Sequence, residues 1–153
     1  LSGKYDKKNG SPSSEWKFHQ DIYIRKKEAK AIVHAHSTNA TAVSTHKRGI
    51  PPFHYMVAMA GGHDIKCEKY ATFGTRELSK NILNALKDRN ACLISNHGQI
   101  AFEKNLAKAF ELAEEVENIS LQYITSLKLG KPKILSLDEM KKVLSKAKNY
   151  KKG

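Results

Sequence analysis

Apolar positions along the chain fall into short blocks that alternate between helical and extended spacing. Ser14 to Ile24 reads as a helix capped by Ser13, with Trp16, His19 or Gln20, and Tyr23 recurring on one side. Ala29-Lys30-Ala31-Ile32-Val33 reads as a strand that continues to His36. Ser37 to Ser44 follows as a short helix capped by Ser37 or Thr38, and Ile50-Pro51-Pro52 breaks it. Phe53 to Ala60 is a second apolar segment, read as extended and closed by Gly61-Gly62.

Tyr70 to Thr75 reads as a loop leading into a helix from Glu77 to Lys87, with Leu78, Ile82, Leu83 and Leu86 on one stripe. A strand around Cys92 ends at His97-Gly98, and Gln99-Ile100-Ala101-Phe102 returns as the second arm of a hairpin. Leu106 to Leu127 carries a continuous apolar face of Ala109, Leu112, Ala113, Val116, Ile119 and Tyr123, and Gly130-Lys131-Pro132 ends that helix. A last short helix begins at Asp138. Strands interleaved with helices, without internal repeat or linker, predict one α/β domain over residues 1–153.

Composition narrows the class. With 153 residues, 40% of them apolar, the chain can bury a real core. No apolar run is as long as a membrane span, and no segment has the layout of a signal peptide, so no membrane partner is expected. Two cysteines, Cys67 and Cys92, make no disulfide framework, and a cytoplasmic location is expected. The net charge of +12 comes mostly from lysines spread along the chain, densest from Lys141 to Lys152. Without an aromatic RNA-binding signature or zinc-finger spacing, this reads as a solvated surface that attracts anions, and no nucleic-acid partner is expected. The chain opens at Leu1 in a polar, turn-rich stretch, and an upstream segment is expected to be missing.

The histidines carry the chemistry. His34 and His36 stand two apart at the end of a strand, a spacing that turns both imidazoles to one face. His97 ends another strand just before a glycine. Three neutral nitrogen donors with a coordination position left open are the pattern of a catalytic rather than a structural zinc. Glu15, in Pro12-Ser13-Ser14-Glu15-Trp16, lies in the first turn of the first predicted helix. There a carboxylate serves either the helix dipole or acid–base chemistry beside a metal. Ser13 and Ser14 could receive an anion such as phosphate. Tyr55 is either a packing aromatic or a proton donor.

Taken in order, Pro12-Ser13-Ser14-Glu15-Trp16, His34-Ala35-His36, Ile50-Pro51-Pro52-Phe53-His54-Tyr55-Met56, Ala60-Gly61-Gly62, Tyr70 to Thr75 and Asn96-His97-Gly98 form a recognisable set. Over nearly its whole length the chain resembles the zinc-dependent class II aldolases of the aldolase/epimerase superfamily, most closely the fuculose-phosphate aldolases. The resemblance implies a three-layer α/β/α domain with a largely antiparallel central sheet, in a four-fold homotetramer with active sites between subunits. It implies that His34, His36 and His97 hold one Zn2+ per chain and that Glu15 is the catalytic acid/base. Tyr55 would enter from a neighbouring subunit as proton donor, and Ser13 and Ser14 would contact phosphate. Phe73 would line the aldehyde pocket, and Tyr150 would be a mobile C-terminal tyrosine. The expected substrate is a phosphorylated ketose cleaved to dihydroxyacetone phosphate and an aldehyde such as L-lactaldehyde. A dehydratase of methylthioribulose phosphate and a pentose-phosphate 4-epimerase share the triad and stand as alternatives, as does an inactive fragment or anion-binding module. The family's N-terminal segment, with Gly-Asn and Thr-Gly turns around the phosphate, has no counterpart here.

Overall fold

Alternating side chains on two central strands decide the architecture. The computed structural model describes residues 6, 8 and 10–150, with side chains as far as Ala147. Four strands, β1 (Ala31–Ala35), β2 (Lys66–Glu68), β3 (Ala91–Ile94) and β4 (Gly98–Glu103), form one sheet in the order β1-β4-β3-β2. β4 is antiparallel to β1 and to β3, while β2 runs parallel to β3, so the sheet is mixed.

Ile100 and Phe102 on β4, with Cys92 and Ile94 on β3, pack against Phe18, Ile22, Leu78 and Ile82 of the helices α1 (Trp16–Arg25) and α3 (Arg76–Ala85). Ala101, Ala91 and Leu93 belong to the opposite face. They pack with Val43, Leu112, Val116, Ile119 and Met140 from α2 (Thr38–Ser44), α4 (Leu106–Lys128) and α5 (Leu137–Tyr150). The period-2 alternation of the strands thus supplies two cores, and the domain has three layers, α/β/α. Side chains such as Phe18 and Phe102, each 1% exposed, contribute roughly 1.5–3 kcal/mol apiece by leaving water.

The structure corrects four expectations. α1 begins at Trp16, with Glu15 at its N-cap. Ser13 instead closes the preceding turn, its Oγ accepting from Glu15 N at 3.2 Å and its carbonyl from Trp16 N at 3.1 Å. The buried stripe of α1 is Phe18 and Ile22, while Trp16 faces solvent; packing on β4, not aromatic size, selects the inner face. The segment read as extended is a 3₁₀ helix, Tyr55–Ala60, because it sits in a loop whose ends, Ile50 and Ile65, exchange both backbone hydrogen bonds. No strand is offered to it, so local i→i+3 bonds satisfy its backbone. The strand β2, absent from the sequence reading, is three residues long and carries two charged side chains, too short and polar to show a period. Gly61 caps the 3₁₀ helix at a φ of 93°, a conformation that costs most residues but not glycine.

Candidate metal and active site

Three local features bring the site residues together. β1 ends at Ala35, so His34 lies within the strand and His36 just beyond it. The turn between β3 and β4 is Ser95-Asn96-His97, and it is tied to α2 by Asn96 N donating to the Ser44 carbonyl at 3.2 Å. Asn96 takes a left-handed φ of 54°, which asparagine tolerates better than most residues. Glu15 enters from the start of α1, on the face of the sheet that His34 shares.

The antiparallel register pairs His34 with Ile100 and Ala35 with Gln99, which sets β1 beside the turn carrying His97. Ring centroids of His34, His36 and His97 lie 4.8–4.9 Å apart. Glu15 Oε2 is 3.0 Å from His34 Nε2, and Oε1 is 3.2 Å from His97 Nε2. His36 Nε2 is 3.1 Å from His34 Nε2. One ligand atom from each of these four residues lies within 4.8 Å of the others.

These residues fit a divalent cation on two counts. His34 Nδ1 lies 2.8 Å from the Gln99 carbonyl, an acceptor, so Nδ1 carries the hydrogen and Nε2 the lone pair. That lone pair faces a carboxylate oxygen at 3.0 Å, an approach that requires a proton or a cation between them. Glu15 Oε1 is buried as well, and the contact that faces it is His97 Nε2 at 3.2 Å, a second nitrogen set against the same carboxylate. Burial disfavours the charged ring of His97 and holds its pKa below the usual imidazole value; Glu15 opposes that shift, and the other two histidines reinforce it. A neutral ring is the form that ligates. Three imidazoles and one carboxylate suit zinc and its first-row neighbours better than calcium or magnesium.

The site opens into a cleft of about 430 Å³ lined by Ser14, Glu15, His36, Tyr70, Ala71, Phe73, Asn96 and His97. Among the sequence-predicted residues, Ser14 and Phe73 therefore reach the cleft, Phe73 with 64% exposure. Ser13 stands one residue behind, in the turn before α1. Tyr55 is 54% exposed on the 3₁₀ helix and does not line this cleft. The side chain of Tyr150 lies outside the described residues. Sequence reading gave no site role to Tyr70 and Asn96, although both belong to motifs it had singled out. It also gave no role to Gln99, a polar residue leading the apolar run Ile100-Ala101-Phe102 of β4, which was a usable signal.

A three-layer α/β/α domain thus sets a three-histidine, one-carboxylate cluster that could hold a metal ion beside a hairpin turn. The chain belongs to the class II aldolase and adducin N-terminal domain family, whose model matches residues 1–124. It is 51% identical over 140 residues to L-fuculose phosphate aldolase of Escherichia coli, covering 91% of this chain and 65% of that protein. It is 50% identical over 139 residues to 5-methylthioribulose-1-phosphate/5-deoxyribulose-1-phosphate aldolase of Rhodospirillum rubrum, covering 91% of this chain and 63% of that protein. A solved structure of an L-fuculose 1-phosphate aldolase superposes with a TM-score of 0.86 at 40% identity, covering 90% of this chain and 64% of the other. The chain thus spans less than two thirds of the length of these relatives. Among the described residues, no helix is long and apolar enough to cross a membrane.

Proposed function

We propose that this chain carries the metal site and proton-transfer group of a class II aldolase that cleaves a deoxyketose 1-phosphate into dihydroxyacetone phosphate and an aldehyde. The observation that carries the reading is the single carboxylate of Glu15 set between the Nε2 atoms of His34 and His97, with His36 alongside. His34, His36 and His97 would hold the cation, Zn2+ at one per chain. When bound, it supplies positive charge for the oxyanion that develops as the carbon–carbon bond breaks.

In cleavage the C4 hydroxyl passes its proton to the group that faces that oxygen, the C3–C4 bond breaks, and C4 leaves as the aldehyde. The bonding pair stays with the three-carbon fragment, and C3 takes up a proton to complete dihydroxyacetone phosphate. Glu15 is the group for the proton at C3: its side chain lines the cleft, and it would be released from His34 and His97 if those rings held the cation. The hydroxyl of Ser14 lines the same cleft and serves the substrate phosphate, with Ser13 behind it. Phe73 and Tyr70 give the cleft an apolar rim suited to a methyl or methylthio group on the leaving aldehyde. Tyr55, exposed and away from its own cleft, is assigned to the aldehyde oxygen in the site of a neighbouring subunit of a homotetramer. None of these roles needs a lysine Schiff base.

The near-equal identity to the fuculose and 5-deoxyribulose enzymes supports an aldolase and leaves both ketose phosphates as assay substrates. Incubating the chain with Zn2+ and either L-fuculose 1-phosphate or 5-deoxyribulose 1-phosphate should release dihydroxyacetone phosphate. Glu15→Gln should keep the metal and lose ~10²–10⁴-fold in rate, the usual worth of a positioned acid/base. Full activity in Glu15→Gln, or no triose phosphate from the metal-loaded parent, would remove this reading.

A further inference from the structure

We infer that Gln99 is a positioning residue for the histidine cluster, joining His34 and the His36–Ser37 junction to α4. The inference rests on the metal reading above and concerns a residue outside the ligand set. Gln99 is 1% exposed, the second residue of β4, and faces the helical layer that contributes Ala113 and Val116 to the core. Its main-chain carbonyl accepts from His34 Nδ1 at 2.8 Å, fixing which nitrogen of His34 faces the site. Its side-chain amide donates to Ser37 Oγ at 2.8 Å and to the Ala113 carbonyl at 3.0 Å.

Ser37 directly follows His36 and is the N-cap residue of α2. One buried amide therefore grips the segment that aims His36, while the carbonyl of the same residue orients His34. Glu117 on α4 extends the network by accepting the backbone N–H groups of Asn39 and Ala40, each at 2.8 Å. β4, β1, α2 and α4 are thus tied together around the two histidines.

A purely structural role for Gln99 makes a different forecast. A buried amide carries a desolvation cost, and its own Oε1 has no hydrogen-bond partner. A leucine of similar shape removes that cost but takes the amide donor from the Ala113 carbonyl and Ser37 Oγ, so the net change in stability should be small. Replacing it should therefore leave folding intact while loosening the histidines. Outer-shell partners of metal ligands are typically worth ~10–100-fold in metal affinity, and the lower end applies here because the main-chain half of the arrangement survives substitution.

The test uses the 153-residue chain with Zn2+ and Co2+ alone, titrated against a chromophoric chelator. Gln99→Leu is expected to fold with at most a small drop in melting temperature, to bind both ions about tenfold more weakly and to shift the visible absorption of bound Co2+. Ser37→Ala removes one acceptor of the amide at a half-buried position and should weaken binding in the same direction by a smaller factor. It keeps the inference testable if Gln99→Leu does not fold. Parent-like affinity and an unchanged Co2+ spectrum in the folded variants would overturn the positioning role alone. A parent chain that takes up neither ion would overturn the metal reading and this inference with it.

Discussion

Glu117 on α4 accepts the backbone N–H of Asn39 on α2 at 2.8 Å, across 78 residues of sequence. Its second oxygen takes the N–H of Ala40, so a side chain from a distant helix caps the first turn of α2. Burial alone would raise the Glu117 pKa. The N–H donors of Ala40 and Asn39, aided by the Ser37 hydroxyl, outweigh it and hold the pKa below the ordinary 4.5. A depressed folded-state carboxylate stabilises the fold above its unfolded pKa and loses that contribution as pH falls through the lower folded value. Glu117→Gln should therefore cost about 1 kcal/mol near neutral pH, a cap-sized effect reduced by partial exposure. Thermal melts should show the gap between parent and variant steady at neutral pH and closing below about pH 4.5. A gap independent of pH would refute the ionic cap.

Removing a ligand should be more severe than removing its support. His34→Ala and His97→Ala should each lower Zn2+ affinity beyond the ~10–100-fold typical of an outer-shell partner. Competition with a chelator at fixed pH measures this. Parent-like uptake by either variant would place the ion elsewhere.

Gly98 has no room for a side chain. A Cβ there would meet the Ala35 carbonyl oxygen at 2.4 Å and His36 Cδ2 at 3.1 Å. Gly98→Ala should push β1 and His36 aside, cost about 1–3 kcal/mol by overpacking, and weaken Zn2+ binding in parallel. A melt together with a metal titration checks both. Loss of stability with unchanged binding would mean that the strand moved without its histidine.

The two thiols should be slow to react in the native state. Burial is the main cause that raises both pKa values; Cys92 is fully enclosed, while Cys67 is half-buried and lies 3.3 Å from Ser95 Oγ. Aromatic disulfide reagents at pH 8 should modify Cys67 slowly and Cys92 only after denaturant is added. Rapid modification of Cys92 in the folded chain would contradict the buried position of β3.

Local patterns carried much of the design. The i, i+2 pairing of His34 with His36 follows from the two-residue period of a strand. α3 and α4 are readable from their apolar stripes, while their capping side chains, Thr75 and Asn105, emerge from the structure. The hairpin that delivers His97 is likewise written in a short apolar strand ending in Asn-His-Gly. Each of these depends on neighbours a few residues away, which is the range that periodicity and turn chemistry encode.

Tertiary contacts decided the remainder. Whether His97 meets His34 depends on the register of β1 against β4, fixed by cores on both faces of the sheet rather than by either strand. The inner face of α1, the 3₁₀ form of Tyr55–Ala60 and the pairing of β2 were set by which partners lay nearby to bury side chains or satisfy backbone groups. The links among Gln99, Ser37 and Glu117 span distances in sequence that no local pattern covers. A chain specifies the local shapes its own neighbours can reward, whereas the meeting of remote donors waits on the packed whole.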